Sequence, residues 1–130
     1  MDMMVTKTTT FGGALLIAAG LLGFVVPGLI GLHLTAAHNF LFLASGGVAI
    51  YFGLLTTEGA GRTFCSVFGM FYGLLGLAGF VAGGLSNTIT IIHGVLVLGI
   101  MDHLVHFILG AVFLSVGRTG SPSAAESAAH

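Results

Sequence analysis

The sequence predicts an all-α fold: a four-helix transmembrane bundle built from two tandem helical hairpins, related as a parallel internal repeat. Three observations carry that expectation. The 130 residues are 56% hydrophobic and only 5% charged, against about 25% charged in a soluble domain, so they cannot furnish a water-facing surface. No charged side chain lies between Lys7 and Glu58 or between Arg62 and Asp102, and an apolar run of about 18 residues is enough to cross a bilayer. Each gap has room for two spans, or for one span and a re-entrant piece. Finally, short segments recur at fixed offsets along the chain.

The elements follow in order. Residues 1–10 form a short polar lead with Lys7 as its cation, residues 11–117 the transmembrane domain, and residues 118–130 a disordered tail rich in Ser and Ala. The first helix is expected from Phe11 to Leu29, with Pro27-Gly28 stopping or kinking it. This run is longer than the apolar core of a cleavable signal peptide and is matched later in the chain, which argues for a retained helix. The second helix is expected from His38 to Leu55. Thr56 to Thr63, containing Glu58 and Arg62, reads as an aqueous loop. A third helix covers Phe64 to Leu85 and a fourth Met101 to Val116. Thr88 to Ile100 reads as an interfacial or re-entrant piece rather than an early start of the fourth helix, because one helix from Thr88 to Gly117 would exceed the roughly 20 residues a bilayer needs.

The repeat is visible in particular residues. Gly23 to Leu29 (GFVVPGL) matches Gly79 to Leu85 (GFVAGGL) at an offset of 56, and Gly13 and Gly20 fall on Gly69 and Gly76. At an offset of 64, His38, Asn39, Gly46 and Gly53 fall on Asp102, His103, Gly110 and Gly117. Small residues at alternating three- and four-residue steps let membrane helices approach closely. Gly13, Gly20, Gly46, Gly69, Gly73, Gly76 and Gly110 are therefore the expected packing positions.

Lys7, Arg62 and Arg118 fall on one side of a four-span chain. By the positive-inside rule that side is cytoplasmic, which makes this a multi-pass protein of the cell (inner) membrane with both termini inside. His33, His38, His93, Asp102 and His103 then gather at the outward end, with His106 one turn deeper. Asp102 and His106, four apart, are predicted to form a coupled pair on the packing face. Asn39 and His103 could satisfy each other across the bundle. A metal reading takes Asp102, His103 and His106 of the fourth helix as ligands, joined by His38 or His33 across the bundle, and polar pairing at a helix end is the competing reading. No cofactor is specified by any motif; haem needs facing axial ligands, and Phe42 stands opposite His106 at the offset of 64.

The expected function is that of a non-enzymatic structural or partner-binding bundle; the alternative is a membrane protein that holds a metal or cofactor in its His/Asp cluster. Expected partners are the lipid bilayer and a second copy or another membrane protein. A net charge of −1 without clustered Lys or Arg argues against nucleic acid. Phosphate-binding loops, Cys-x-x-Cys pairs and nucleophile triads are absent from the sequence. Cys65, the single cysteine, reads as a small buried residue.

At the polar positions the chain resembles a bacterial family of small four-helix membrane proteins known only as a domain of unknown function. In that family helix 2 opens His-Asn-x-x-His and helix 4 opens Asp-Asn-x-x-His, each followed by x-x-x-Gly. This chain carries His38, Asn39 and Gly46 in the first motif and Asp102, His106 and Gly110 in the second, with Phe42 and His103 as the departures. The resemblance runs from about Thr10 to Gly117 and implies an integral membrane protein without an assigned activity. Similarity to the DoxX-like four-helix membrane proteins rests on architecture alone.

Overall fold

Proline 27 explains where the first helix ends. An interior proline removes its own amide and presses its ring on the carbonyl four residues back, which here belongs to Gly23, and α1 (Met3–Gly23) closes at that residue. The computed structural model describes residues 3–83, 88–93 and 95–119. After α1 come a single 3-10 turn (Leu29–Gly31), α2 (Ala36–Leu54), α3 (Glu58–Ala82), two short strands β1 (Ile89–Ile92) and β2 (Leu96–Leu98), and α4 (Ile100–Arg118). All four helices are long and apolar enough to cross a membrane.

Several boundaries differ from the sequence expectation, each for a local reason. The helix that was to begin at Phe11 begins at Met3. Thr9 turns its hydroxyl back onto Val5 O at 2.8 Å, and Val5 and Thr9 are both fully buried, so residues 3–10 of the expected polar lead are the first two turns of α1. The Thr56 to Thr63 loop shrinks to residues 55–57. Thr57 caps α3 by accepting Ala60 N–H at 3.2 Å, and Glu58 and Arg62 pair at 3.3 Å one turn apart on the helix. The four-helix bundle is as expected, and beside it an antiparallel β1–β2 hairpin pairs Ile89 with Leu98 and Ile92 with Leu96. Residues 89–92 and 96–98 thus lie outside α4, which starts at Ile100. The expected tail from residue 120 onward lies outside the described residues.

α1 packs chiefly on α2 and α3 chiefly on α4. The two hairpins make their close approaches at positions separated by 56 and 64 residues. A Cβ on Gly13 would sit 2.6 Å from Gly46 O, and one on Gly110 would sit 2.7 Å from Gly69 O. A Cβ on Gly20 would meet Asn39 O at 2.8 Å, and one on Gly76 would meet His103 O at 2.7 Å. Six of the seven expected packing glycines therefore stand where no side chain fits. Gly73 differs, because a Cβ there would lie 3.8 Å from its nearest neighbour, Gly110 Cα.

Aromatic side chains join the hairpins to each other. Phe52 of α2 stacks on Phe64 of α3 with ring centroids 4.8 Å apart, and Ser45 Oγ lies 2.9 Å from Tyr72 OH. Outward-facing positions are apolar as well: Val25, Val67 and Val81 are each at least 65% exposed.

A candidate ligand site at the polar end of the bundle

Helix α4 opens with backbone amides that have no partner inside the helix. Asp102, in its first turn, answers that need by accepting Gly99 N–H at 2.7 Å. The same carboxylate reaches into the α1–α2 connection. It accepts His33 N–H at 3.1 and 3.2 Å, and His33 Nδ1–H at 2.9 Å. Its oxygens are fully enclosed, and His38 Nδ1 stands 3.8 Å from Oδ1. A buried carboxylate is tolerable when several donors converge on it, and here they come from both hairpins.

His38 is placed by α2. Thr35 caps that helix, accepting His38 N–H at 3.3 Å, and ties it to the β-hairpin by donating to Val95 O at 2.7 Å. The His38 Nδ1 atom lies 2.9 Å from His33 O. A carbonyl only accepts, so Nδ1 carries the proton of that bond, and in the neutral ring Nε2 holds a bare lone pair. His38 Nε2 is buried and has no hydrogen-bond partner, and the same holds for His106 Nδ1. The two rings lie 5.7 Å apart, with Phe42 4.5 Å from His38 and Tyr72 5.3 Å from His106.

Both imidazoles line a cavity of about 310 Å³ between the hairpins. The rest of its wall is almost wholly apolar, including Phe42, Phe68, Leu75 and Leu98, with the Ser45–Tyr72 hydroxyl pair as the other polar element. Such a space, mostly apolar with a few fixed polar atoms, is the usual form of a small-molecule pocket. Beside it stand two imidazoles, each with an unpartnered ring nitrogen enclosed by protein, and its walls are aromatic and aliphatic.

The sequence-predicted residues divide. His38 and Asp102 come together, and His106 is buried beside His38, as its position on the packing face implies. Asp102 and His106 are not hydrogen-bonded to each other: the carboxylate is turned back over the helix start by its capping bond, and His106, a turn deeper, meets rings instead. His103 faces elsewhere. Its ring presses on Gly79 and Phe80, and neither of its nitrogens has a partner. Nor does it meet Asn39, whose Nδ2 donates to Leu34 O at 3.3 Å and whose Oδ1 is unpartnered. Among the described residues no group of three or more His, Cys, Asp or Glu is arranged to hold a metal ion.

Three contributors escaped the sequence. His33 reads as an alternative to His38 in a metal site, not as the partner of Asp102. Tyr72 read as a core or interface residue, and Ser45 carried no signal. Their roles arise from contacts spanning 27 and 69 positions, which no local spacing encodes. Comparisons with protein families, characterised proteins and solved structures found no match to this chain.

Proposed function

We propose that this chain is a multi-pass protein of the cell membrane that holds a small molecule, without chemistry of its own, in the cavity between its two hairpins. The observation that carries the reading is the mostly apolar space of about 310 Å³ between the hairpins, beside which His38 and His106 each bury an unpartnered ring nitrogen. The lipid bilayer is the surrounding partner, supported by the exposed apolar side chains and the four long apolar helices.

The proposed orientation puts both termini in the cytoplasm. Arg62 donates to Thr119 O, so the start of α3 and the end of α4 share one end of the bundle, and Lys7 lines a groove with Val112 and Phe113 of the same part of α4. With all three cations at that end, the positive-inside rule turns the Asp102 site outward. Tandem duplication of one hairpin is supported by the close approaches that recur at the two offsets.

Native mass spectrometry of protein extracted in mild detergent tests the ligand reading. The expected result is a bound organic mass on the wild type that Leu75→Trp, which fills the cavity, loses. The same bound mass, or none, on both folded proteins after extraction and after incubation with small aromatic compounds would contradict it.

A second reading, a bundle that docks a second copy or another membrane protein, is favoured by the groove of about 660 Å³ between α1 and α4, lined by Phe11, Leu15, Val105 and Ile108 among others. Cross-linking through Leu15→Cys in membranes distinguishes it.

A further inference from the structure

We infer that the groove between α1 and α4 holds one anionic phospholipid, its acyl chain along the seam of the two hairpins and its phosphate on Lys7. This rests on the membrane reading above and takes nothing from the cavity beside His38 and His106. On this side the hairpins touch at two levels. A Cβ on Gly12 would stand 2.7 Å from the Phe113 ring, and one on Gly31 would stand 2.9 Å from Met101 Cγ. Around these points the seam stays open as a groove of about 660 Å³. Its floor is made by the buried Leu16, Phe42 and Phe113, and its rims by the exposed Phe11, Leu15 and Ile108.

Dimensions and charge choose the occupant. Along α1 the groove runs from Lys7 to Ala19, about 18 Å of helix and close to the roughly 15 Å depth of one leaflet's hydrocarbon. A volume of about 660 Å³ spread over about 18 Å leaves a cross-section of about 37 Å², less than half that of a helix about 10 Å thick with its side chains. The groove therefore takes a chain rather than a partner helix. Because about 150 Å³ takes the six carbons of benzene, about 660 Å³ has room for one acyl chain of about 16–18 carbons. Lys7 stands exposed at one end, and Glu58, the carboxylate at that end among the described residues, is paired with Arg62. Lys7, Arg62 and Arg118 thus leave that end net positive, which draws an anionic headgroup. At the other end Leu29, Ile30 and Leu32 close the groove. Ile30 holds φ 47° and ψ 27°, a left-handed conformation that strains a β-branched residue and that persists at ligand clamps.

Lipid-free protein in detergent, titrated with phosphatidylglycerol or with phosphatidylcholine of the same acyl chains and read by native mass spectrometry, tests the site. Wild type should take up one phosphatidylglycerol at a concentration about fivefold below that for phosphatidylcholine, the preference one lysine near a membrane surface supplies. Lys7→Gln should bind the two lipids alike. Ile108→Trp and Leu15→Trp, which fill the groove from exposed positions, should lose the retained lipid of either kind, with circular dichroism confirming that each variant is folded. Equal uptake of the two lipids by wild type, or a preference that survives Lys7→Gln, would overturn the headgroup assignment and the inference with it. Lipid retained by both tryptophan variants would overturn the groove, as would disulfide-linked dimers of Leu15→Cys on a Cys65→Ala background, which give the groove to a second copy. A chain that stays in carbonate-washed membranes while failing these lipid tests keeps its membrane assignment and loses only the bound lipid.

Discussion

Asp102 accepts the backbone amide of His33 across 69 positions of sequence, at 3.1 Å, and thereby ties the start of α4 to the link between α1 and α2. That carboxylate takes donors from both hairpins at the polar end. Asp102→Asn keeps the shape but turns one oxygen into a donor facing His33 and Gly99 amides. Hydrogen bonds to charged groups contribute about 1.5–3 kcal/mol, so a loss of stability of that order is expected on unfolding in mixed detergent micelles. His33→Phe, which spares the backbone bond, should cost less. Equal stability of Asp102→Asn and wild type would show that the clasp is incidental.

Gly73 and Gly110 face each other, yet only one should tolerate a methyl group. A Cβ on Gly110 runs into the backbone of Gly73 and Gly69, whereas a Cβ on Gly73 finds ordinary van der Waals distance. Gly110→Ala should destabilise the bundle by several kcal/mol or prevent its assembly, since overpacking forces the helices apart. Gly73→Ala should be neutral or gain about 0.5–1 kcal/mol from helix propensity. Similar melting temperatures for the two would dismiss the packing account. On the same ground Gly76→Leu should disrupt far more than Leu77→Ala, because Leu77 is half exposed and trimming it removes little.

Orientation is open to labelling. On a Cys65→Ala background, Gly59→Cys at the α2–α3 end should react with an impermeant thiol reagent only after the membrane is breached, and Thr90→Cys on the β-hairpin should react from outside. Both sites are exposed. The reverse pattern would invert the topology.

Much of this architecture was legible because it depends on local pattern. Charge-free stretches mark the long apolar helices, Pro27 marks an ending, and alternating glycine steps mark the faces where backbones meet. Asp102 stood out as the residue at the centre of the polar end because a carboxylate beside so apolar a run requires partners. Which partners it takes was not legible: spacing on one helix favoured His106, while the capping demand of Gly99 and the approach of His33 from a distant turn decided otherwise. The β1–β2 hairpin was visible only as a stretch that did not suit a helix. The early start of α1 was hidden because threonines that bond their own helix look polar in sequence although Thr9 is buried.

Ser45 and Tyr72 join α2 to α3 through one hydroxyl contact at 2.9 Å. Tyr72→Phe and Ser45→Ala should each cost about 0.5–1.5 kcal/mol, and together no more than about the larger single effect, the signature of a shared bond. Full additivity in denaturation would separate them.

The ligand account depends most directly on the tautomer of His38. In ¹⁵N NMR of the ligand-free, histidine-labelled protein in nanodiscs, Nδ1 should be protonated and hydrogen-bonded, with Nε2 resonating as a bare nitrogen. A ring protonated at Nε2 and bare at Nδ1 would break the bond to His33 O and contradict the account.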